Sequence, residues 1–211
     1  MSDLTFLCLT AGAPHARRFL NIMAMDAEEA GAEFILAVDG EPQDWMGSLN
    51  ATILKVRAAG YLESVLDDLV DRCPDGYILR LDDDERLNGD ALEWVKAGGY
   101  RTADHWAFRR ANLWPNAGHH ILNPPLWPDL QTRLSVKAKS GGRTRVHVGS
   151  PYGTGEIAPG LIEHHKFLVR STSEREALVE RYEMIQPGAG REYRMFSLPE
   201  AYADDLETGR L

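Results

Sequence analysis

Three consecutive aspartates and a glutamate, Asp82-Asp83-Asp84-Glu85, follow directly on an apolar run, Tyr77-Ile-Leu-Arg-Leu81. Adjacent carboxylates repel, and one of them tends to hold a proton unless a cation relieves the conflict. Oxygen-only ligation suits Mg²⁺ or Mn²⁺, which keep open positions for other oxygens such as those of a diphosphate. On an extended chain Asp82 and Asp84 point one way and Asp83 the other. Arg80, just ahead of the triplet, would set a fixed positive charge near such a ligand. Thr10 and Arg57, each at the end of an earlier apolar run, are further nucleotide-contact candidates. Asp129 and Arg133 suit an ion pair, or an acid–base group with an orienting cation. Trp106, Trp114 and Trp127 offer aromatic faces that suit a sugar ring, although core and loop anchors use the same side chains. His119-His120 and His147 read as loop or acceptor-groove residues.

These groups act together only if the fold brings them to one edge. Leu4–Leu9, Glu33–Val38, Thr52–Val56 and Tyr77–Leu81 read as buried strands. Between them, His15–Ala30 has helical spacing, with Phe19, Leu20, Met23 and Ala27 on one side and Gly31 as the stop. Tyr61–Arg72 is the best amphipathic helix, carrying Leu62, Val65, Leu66, Leu69 and Val70 on one stripe. A short helix over Asp90–Ala97 follows the acidic run. Strands alternating with helices predict an α/β fold with a mostly parallel sheet. Such sheets bind ligands at the C-terminal strand edge, where the aspartate triplet falls.

The second half differs. His105–Pro128 is rich in Trp, Asn, Pro and Arg with little periodicity. Leu130–Val136 and Thr144–Val148 read as strands joined by a Ser-Gly-Gly turn, and Leu161–Leu168 as another strand. Ser173–Glu176 reads as a capping box opening a helix with Leu178, Tyr182 and Ile185, and the tail after Leu198 as loosely held.

The 211 residues, 44% of them hydrophobic, are enough for one compact domain, with a nucleotide-sugar-binding half over about 1–99 and a small β-containing acceptor-side half over about 100–211. A formal charge of −9 argues against generic binding to nucleic acid or an anionic membrane. No apolar run approaches the ~18 residues of a membrane span, and the N-terminus has no basic signal-peptide start. Cys8 and Cys73 make neither a disulfide framework nor a zinc motif; buried thiols of this kind suit the cytoplasm.

Leu4–Thr10, Ala37-Val-Asp-Gly40 and Tyr77–Glu85 together resemble the family 2 glycosyltransferases of the GT-A fold. The resemblance continues patchily to about residue 185, through Trp127–Leu134, Val146-His-Val148, Ile162–His165 and Arg181-Tyr182. It implies that Asp39 contacts the nucleobase, and that Asp82 and Asp84 bind ribose and the metal-diphosphate, with Asp83 beside them on the donor side. It implies Asp129 as the base that deprotonates the acceptor hydroxyl, with Arg133 orienting it and Trp127 and His147 on the acceptor side. It also implies a histidine ligand to the metal from the C-terminal half, either His164 or His165. The expectation is a metal-dependent, inverting glycosyltransferase using Mn²⁺ or Mg²⁺, a UDP-, GDP- or dTDP-sugar with UDP first, and a glycan or protein acceptor. The alternatives are a nucleotidyltransferase of similar fold, a non-catalytic nucleotide-sugar or carbohydrate-binding protein, and a two-carboxylate hydrolase.

Overall fold

The structure, a computed structural model, describes residues 3–59, 61–140 and 155–211. The chain forms two compact units that interleave along the sequence. The first comprises residues 1–109 and 131–162, the second residues 110–130 and 163–211.

In the first unit, β1 (Leu4–Thr10) leads into α1 (Ala16–Glu29), β2 (Glu33–Asp39) and β3 (Thr52–Val56), then α2 (Leu66–Arg72) and β4 (Tyr77–Asp82). There follow β5 (Glu85–Leu87), α3 (Gly89–Lys96), and most of β6 (His105–Asn112), β8 (Asp129–Val136) and β9 (Glu156–His164). The eight strands form one sheet in the order β3-β2-β1-β4-β8-β6-β9-β5. β1 pairs in parallel with β2 on one side and β4 on the other, and β2 in parallel with β3; β8 runs antiparallel to β4. The fold class is therefore the expected α/β, a mostly parallel sheet flanked by helices.

All seven residues of β1 are buried, because a central strand is covered on both faces. Leu4, Phe6 and Cys8 pack with α1 residues Leu20, Met23 and Ala27 and with α3 residues Ala91 and Val95. Leu7 and Leu9 pack on the other face with Leu66, Leu69 and Val70 of α2. The period of two along the strand sorts alternate side chains to the two layers. α1 ends as expected: Gly31 has φ +63, and the Ala32 N–H reaches back to the Ala27 carbonyl at 2.8 Å.

Asp26, on α1, is driven by burial, and then by Glu29, up to a pKa of about 6. A raised carboxylate pKa favours the folded state only while the group is protonated. Its contribution is therefore lost as the pH climbs from about 4 to about 6. Asp26→Asn should stabilise the protein by about 1–3 kcal/mol above pH 6 and give no gain below pH 4, read from urea denaturation across pH.

Several local expectations are corrected. The helical turn at Leu62–Val65 is 3₁₀, and α-helix begins only at Leu66. β9 stops at His164 and Lys166–Val169 turns into a short helix, α4, so Leu161–Leu168 is not one strand. In the second unit, β7 (His119–Ile121) pairs antiparallel with β10 (Thr208–Arg210), so the tail after Leu198 is tied down. α5 (Thr172–Ile185) has its capping box two residues earlier than expected, with Ser171 and Glu174 as the reciprocal pair, and α6 (Ala189–Tyr193) follows. The expected Thr144–Val148 strand with its Ser-Gly-Gly turn, and His147, lie outside the described residues. No described helix is long and apolar enough to cross a membrane.

Candidate active site

β1 and β4 lie side by side with Leu9 opposite Asp82, so the segments that follow the two strands emerge together. The chain leaves β4 at Asp82, turns through Asp83 and Asp84, and enters β5 at Glu85. That turn removes the extended alternation that would place Asp82 and Asp84 on one side. Asp83 and Asp84, both buried, instead gather with His15, which immediately precedes α1; one ligand atom from each lies within 4.8 Å of the others. Thr10 Oγ1 donates to Asp83 Oδ2 at 2.6 Å and accepts from the Gly12 N–H at 2.9 Å. Asp83 is thereby oriented by the end of β1. His15 Nε2 stands 3.8 Å from Asp83 Oδ1, beyond hydrogen-bond range, and is buried with no hydrogen-bond partner.

Asp82 faces a different neighbour. Arg133, buried on β8, donates from one terminal nitrogen to Asp82 Oδ2 at 2.5 Å and to Glu85 Oε1 at 2.6 Å. Glu85 is fully buried, and its Oε2 also accepts the Asp82 N–H at 3.1 Å. Arg80 is half-buried, with its Nε sequestered and without a hydrogen-bond partner. Asp39 Oδ1 accepts from the Ala58 N–H at 3.0 Å, joining the end of β2 to the segment after β3; Arg57 beside it is exposed. Burial pushes the Cys8 thiol well up, and the carboxylates of Asp83, Asp82, Glu85 and Asp84 push it further, so Cys8 remains a thiol at neutral pH.

The second unit holds Asp129 and the histidine doublet. Arg110 donates to Asp129 Oδ2 from two nitrogens, each at 2.7 Å, and Asn112 Nδ2 from 3.3 Å. The ionic partner of Asp129 is thus Arg110, and Arg133 is engaged with Asp82 and Glu85. Asn112 Oδ1 lies 2.8 Å from His164 Nδ1. The Leu113 N–H donates to the His164 carbonyl at 3.1 Å. His164 and His165 are both buried, but they do not share a strand: His164 ends β9 and His165 caps α4. His165 Nε2 lies 3.4 Å from Glu163 Oε2. Trp127 packs edge-on against His120, and Trp114 against Phe167. Trp106, in the first unit, belongs to the core, with its indole N–H donating to the Tyr100 carbonyl at 2.8 Å.

Four residues of these clusters escaped the sequence reading: His15, Glu85, Arg110 and Asn112. Glu85 was visible only as the end of the acidic run, and His15 only as the first residue of the expected helix over His15–Ala30. Arg110 and Asn112 lie in a stretch with no periodicity to mark their direction.

No protein-family model matches the chain, and no curated protein matches it. Solved structures do. S. aureus TarS aligns with a TM-score of 0.56 at 9% identity over 88% of this chain and 40% of that one, so the chain spans about two fifths of TarS. A TarS 1–349 structure in complex with UDP aligns with a TM-score of 0.51 at 8% identity, covering 98% of this chain and 76% of that one. A weaker likeness, to a 4-diphosphocytidyl-2C-methyl-D-erythritol synthase from Anaerococcus prevotii, has a TM-score of 0.48 at 12% identity over 87% and 98% of the two chains and adds nothing to the reading. At these identities the likeness speaks for fold, and the fold is GT-A-like.

Proposed function

We propose that this chain is a metal-dependent, inverting glycosyltransferase of the family 2 type, moving a sugar from a nucleoside diphosphate to an acceptor hydroxyl. One observation carries the reading: Thr10, His15, Asp83 and Asp84 converge where β1 and β4 end. That is the ligand-binding edge of an open α/β sheet. The UDP complex of TarS 1–349 supports taking a UDP-sugar first among donors, ahead of GDP- and dTDP-sugars.

The residues fit a divalent cation. Two ligand bonds of about 2.1 Å can hold donor atoms up to about 4.2 Å apart, which accommodates the 3.8 Å between His15 Nε2 and Asp83 Oδ1. A cation would also satisfy the buried His15 nitrogen, which lacks a hydrogen-bond partner. Asp83, Asp84 and His15 would hold Mn²⁺ or Mg²⁺ there, with Asp82 beside them; His164 or His165 is the ligand suggested by resemblance. When bound, the cation supplies positive charge against the charge that builds on the departing diphosphate. The chain's own residues do the rest. Thr10 fixes the orientation of Asp83. Asp39, Arg57 and Arg80 contact the nucleotide. Asp129 takes the proton of the acceptor hydroxyl, oriented by Arg110 in the place expected of Arg133, and Trp127 serves the acceptor side. The acceptor is a glycan or a protein.

The test is a thermal-shift panel of UDP-, GDP- and dTDP-sugars with Mn²⁺, Mg²⁺ or EDTA, on wild type and Asp84→Ala. A donor at 100 times its Kd should stabilise the wild type by about 2.7 kcal/mol. The shift should need metal, favour one nucleotide class and vanish in Asp84→Ala. No shift with any nucleotide would sink the reading in favour of a carbohydrate-binding or hydrolytic protein.

A further inference from the structure

We infer that Gln43 is a positioning residue for the candidate cation site: it clamps the loop after β1 at Gly12 and so holds Thr10, and through Thr10 the Asp83 carboxylate. Gln43 begins a 3₁₀ turn over Asp44–Ser48, between β2 and β3. Its backbone is fixed, because its carbonyl accepts the Met46 N–H at 2.9 Å and Met46 is fully buried in the core. Its side chain is exposed and reaches back to the loop after β1. The two ends of the amide differ in hydrogen-bonding capacity, so the neighbours decide which way it points. The Trp45 indole nitrogen can only donate, and it stands 2.6 Å from one end. The Gly12 carbonyl can only accept, and it stands 2.8 Å from the other. Oε1 therefore faces Trp45 and Nε2 faces Gly12; a flipped amide would lose both bonds. Trp45 is itself held: it packs against the core, and the Arg17 guanidinium of α1 lies 5.4 Å from its ring centroid.

Gly12 is gripped from both sides. Its carbonyl accepts from Gln43, and its N–H donates to Thr10 Oγ1 at 2.9 Å. Between these bonds it sits at φ +74, in the left-handed region that glycine enters without strain. The Thr10 hydroxyl has one hydrogen, and it gives that hydrogen to Asp83 Oδ2 at 2.6 Å. Four hydrogen bonds thus run in one direction, from Trp45 through Gln43, Gly12 and Thr10 to Asp83. The same loop delivers His15, three residues after Gly12, so its shape sets how His15 approaches Asp83. Gln43 acts through Gly12 and Thr10 and not as a ligand, since its oxygen faces Trp45. The clamp stands on these hydrogen bonds, all within the first unit; that it serves a bound cation rests on the proposed function above.

The experiment compares the full, nucleotide-free chain as wild type and as Gln43→Met, which keeps the length of the side chain and removes both of its hydrogen bonds. The first reading is amide hydrogen exchange at Gly12, followed in assigned ¹H–¹⁵N spectra. Losing about one net hydrogen bond should speed that exchange roughly three- to tenfold, move the Trp45 indole N–H resonance upfield and leave the urea midpoint unchanged. Unchanged exchange at Gly12 overturns the inference, and so does a fall in the urea midpoint large enough to account for the faster exchange. The second reading is the affinity for Mn²⁺ alone, from the electron paramagnetic resonance of the free ion. Gln43→Met should bind Mn²⁺ about three- to tenfold more weakly, because only the clamped loop is competent to bind. Equal affinity in the two proteins overturns the positioning role. A wild type that binds no Mn²⁺ sinks the cation reading and the positioning role with it, while Gly12 exchange still shows whether the clamp exists, so the two failures are told apart.

Discussion

Asp129→Asn should lower turnover by about 10²–10⁴-fold while leaving the donor's binding shift intact. Asparagine keeps the shape of the side chain and removes the group that takes a proton. Turnover is read as release of nucleoside diphosphate from the donor that the thermal-shift panel selects. A structural cost is also expected, because Arg110 donates to Asp129 from two nitrogens and would lose a charged partner. The two effects separate through a second variant. Arg110→Met removes the same ion pair but keeps the carboxylate. If Asp129 is the base, Arg110→Met should retain far more turnover than Asp129→Asn at similar stability. Equal losses in the two variants, or less than a tenfold loss in Asp129→Asn, would reduce Asp129 to a structural partner of Arg110.

Glu85→Ala should destabilise the protein by about 3–5 kcal/mol. Glu85 is fully buried and Arg133 nearly so, with 2.6 Å between them. Truncating the carboxylate leaves a buried guanidinium with only Asp82, among the described residues, to answer it, and the Asp82 side chain is 44% exposed. Against a typical total of roughly 5–15 kcal/mol, that loss is large. Urea denaturation should show a lower midpoint with the same slope. Asp82→Asn, at the wetter end of the same network, should cost much less. A Glu85→Leu, Arg133→Met double variant should recover most of the loss, since well-packed apolar pairs often replace buried ion pairs at little cost. A Glu85→Ala cost below about 1 kcal/mol would mean that Arg133 finds solvent and that the pair does not hold the β4–β5 turn.

That turn shows where local sequence stops being informative. The composition of β1, β2 and β4 was enough to place them, because strands covered on both faces are mostly apolar, and each of these is a mostly apolar run. The amphipathic stripe of α1 and its Gly31 stop are equally local, since both follow from spacing along one helix. The order of these elements implied a parallel sheet, and the sheet implied that Asp82–Asp84 lie at its ligand-binding edge. What the triplet does there was not local. The turn after Asp82 brings Asp82 and Glu85 to one guanidinium, that of Arg133, 51 residues further on from Asp82. Once the chain turns, Asp83 meets Thr10, 73 residues earlier, and with Asp84 meets His15.

The second unit follows the same rule more severely. Asp129 and Arg133 look like partners because they are close in sequence. In the fold Asp129 takes Arg110, 19 residues back, and Asn112 reaches 52 residues to His164. Side-chain type and spacing determined which residues had chemistry to offer and which elements carried them. Which carboxylates share a site and which arginine neutralises which acid were decided only by tertiary contacts. Hydrogen bonds and ion pairs are short-ranged in space and indifferent to separation along the chain.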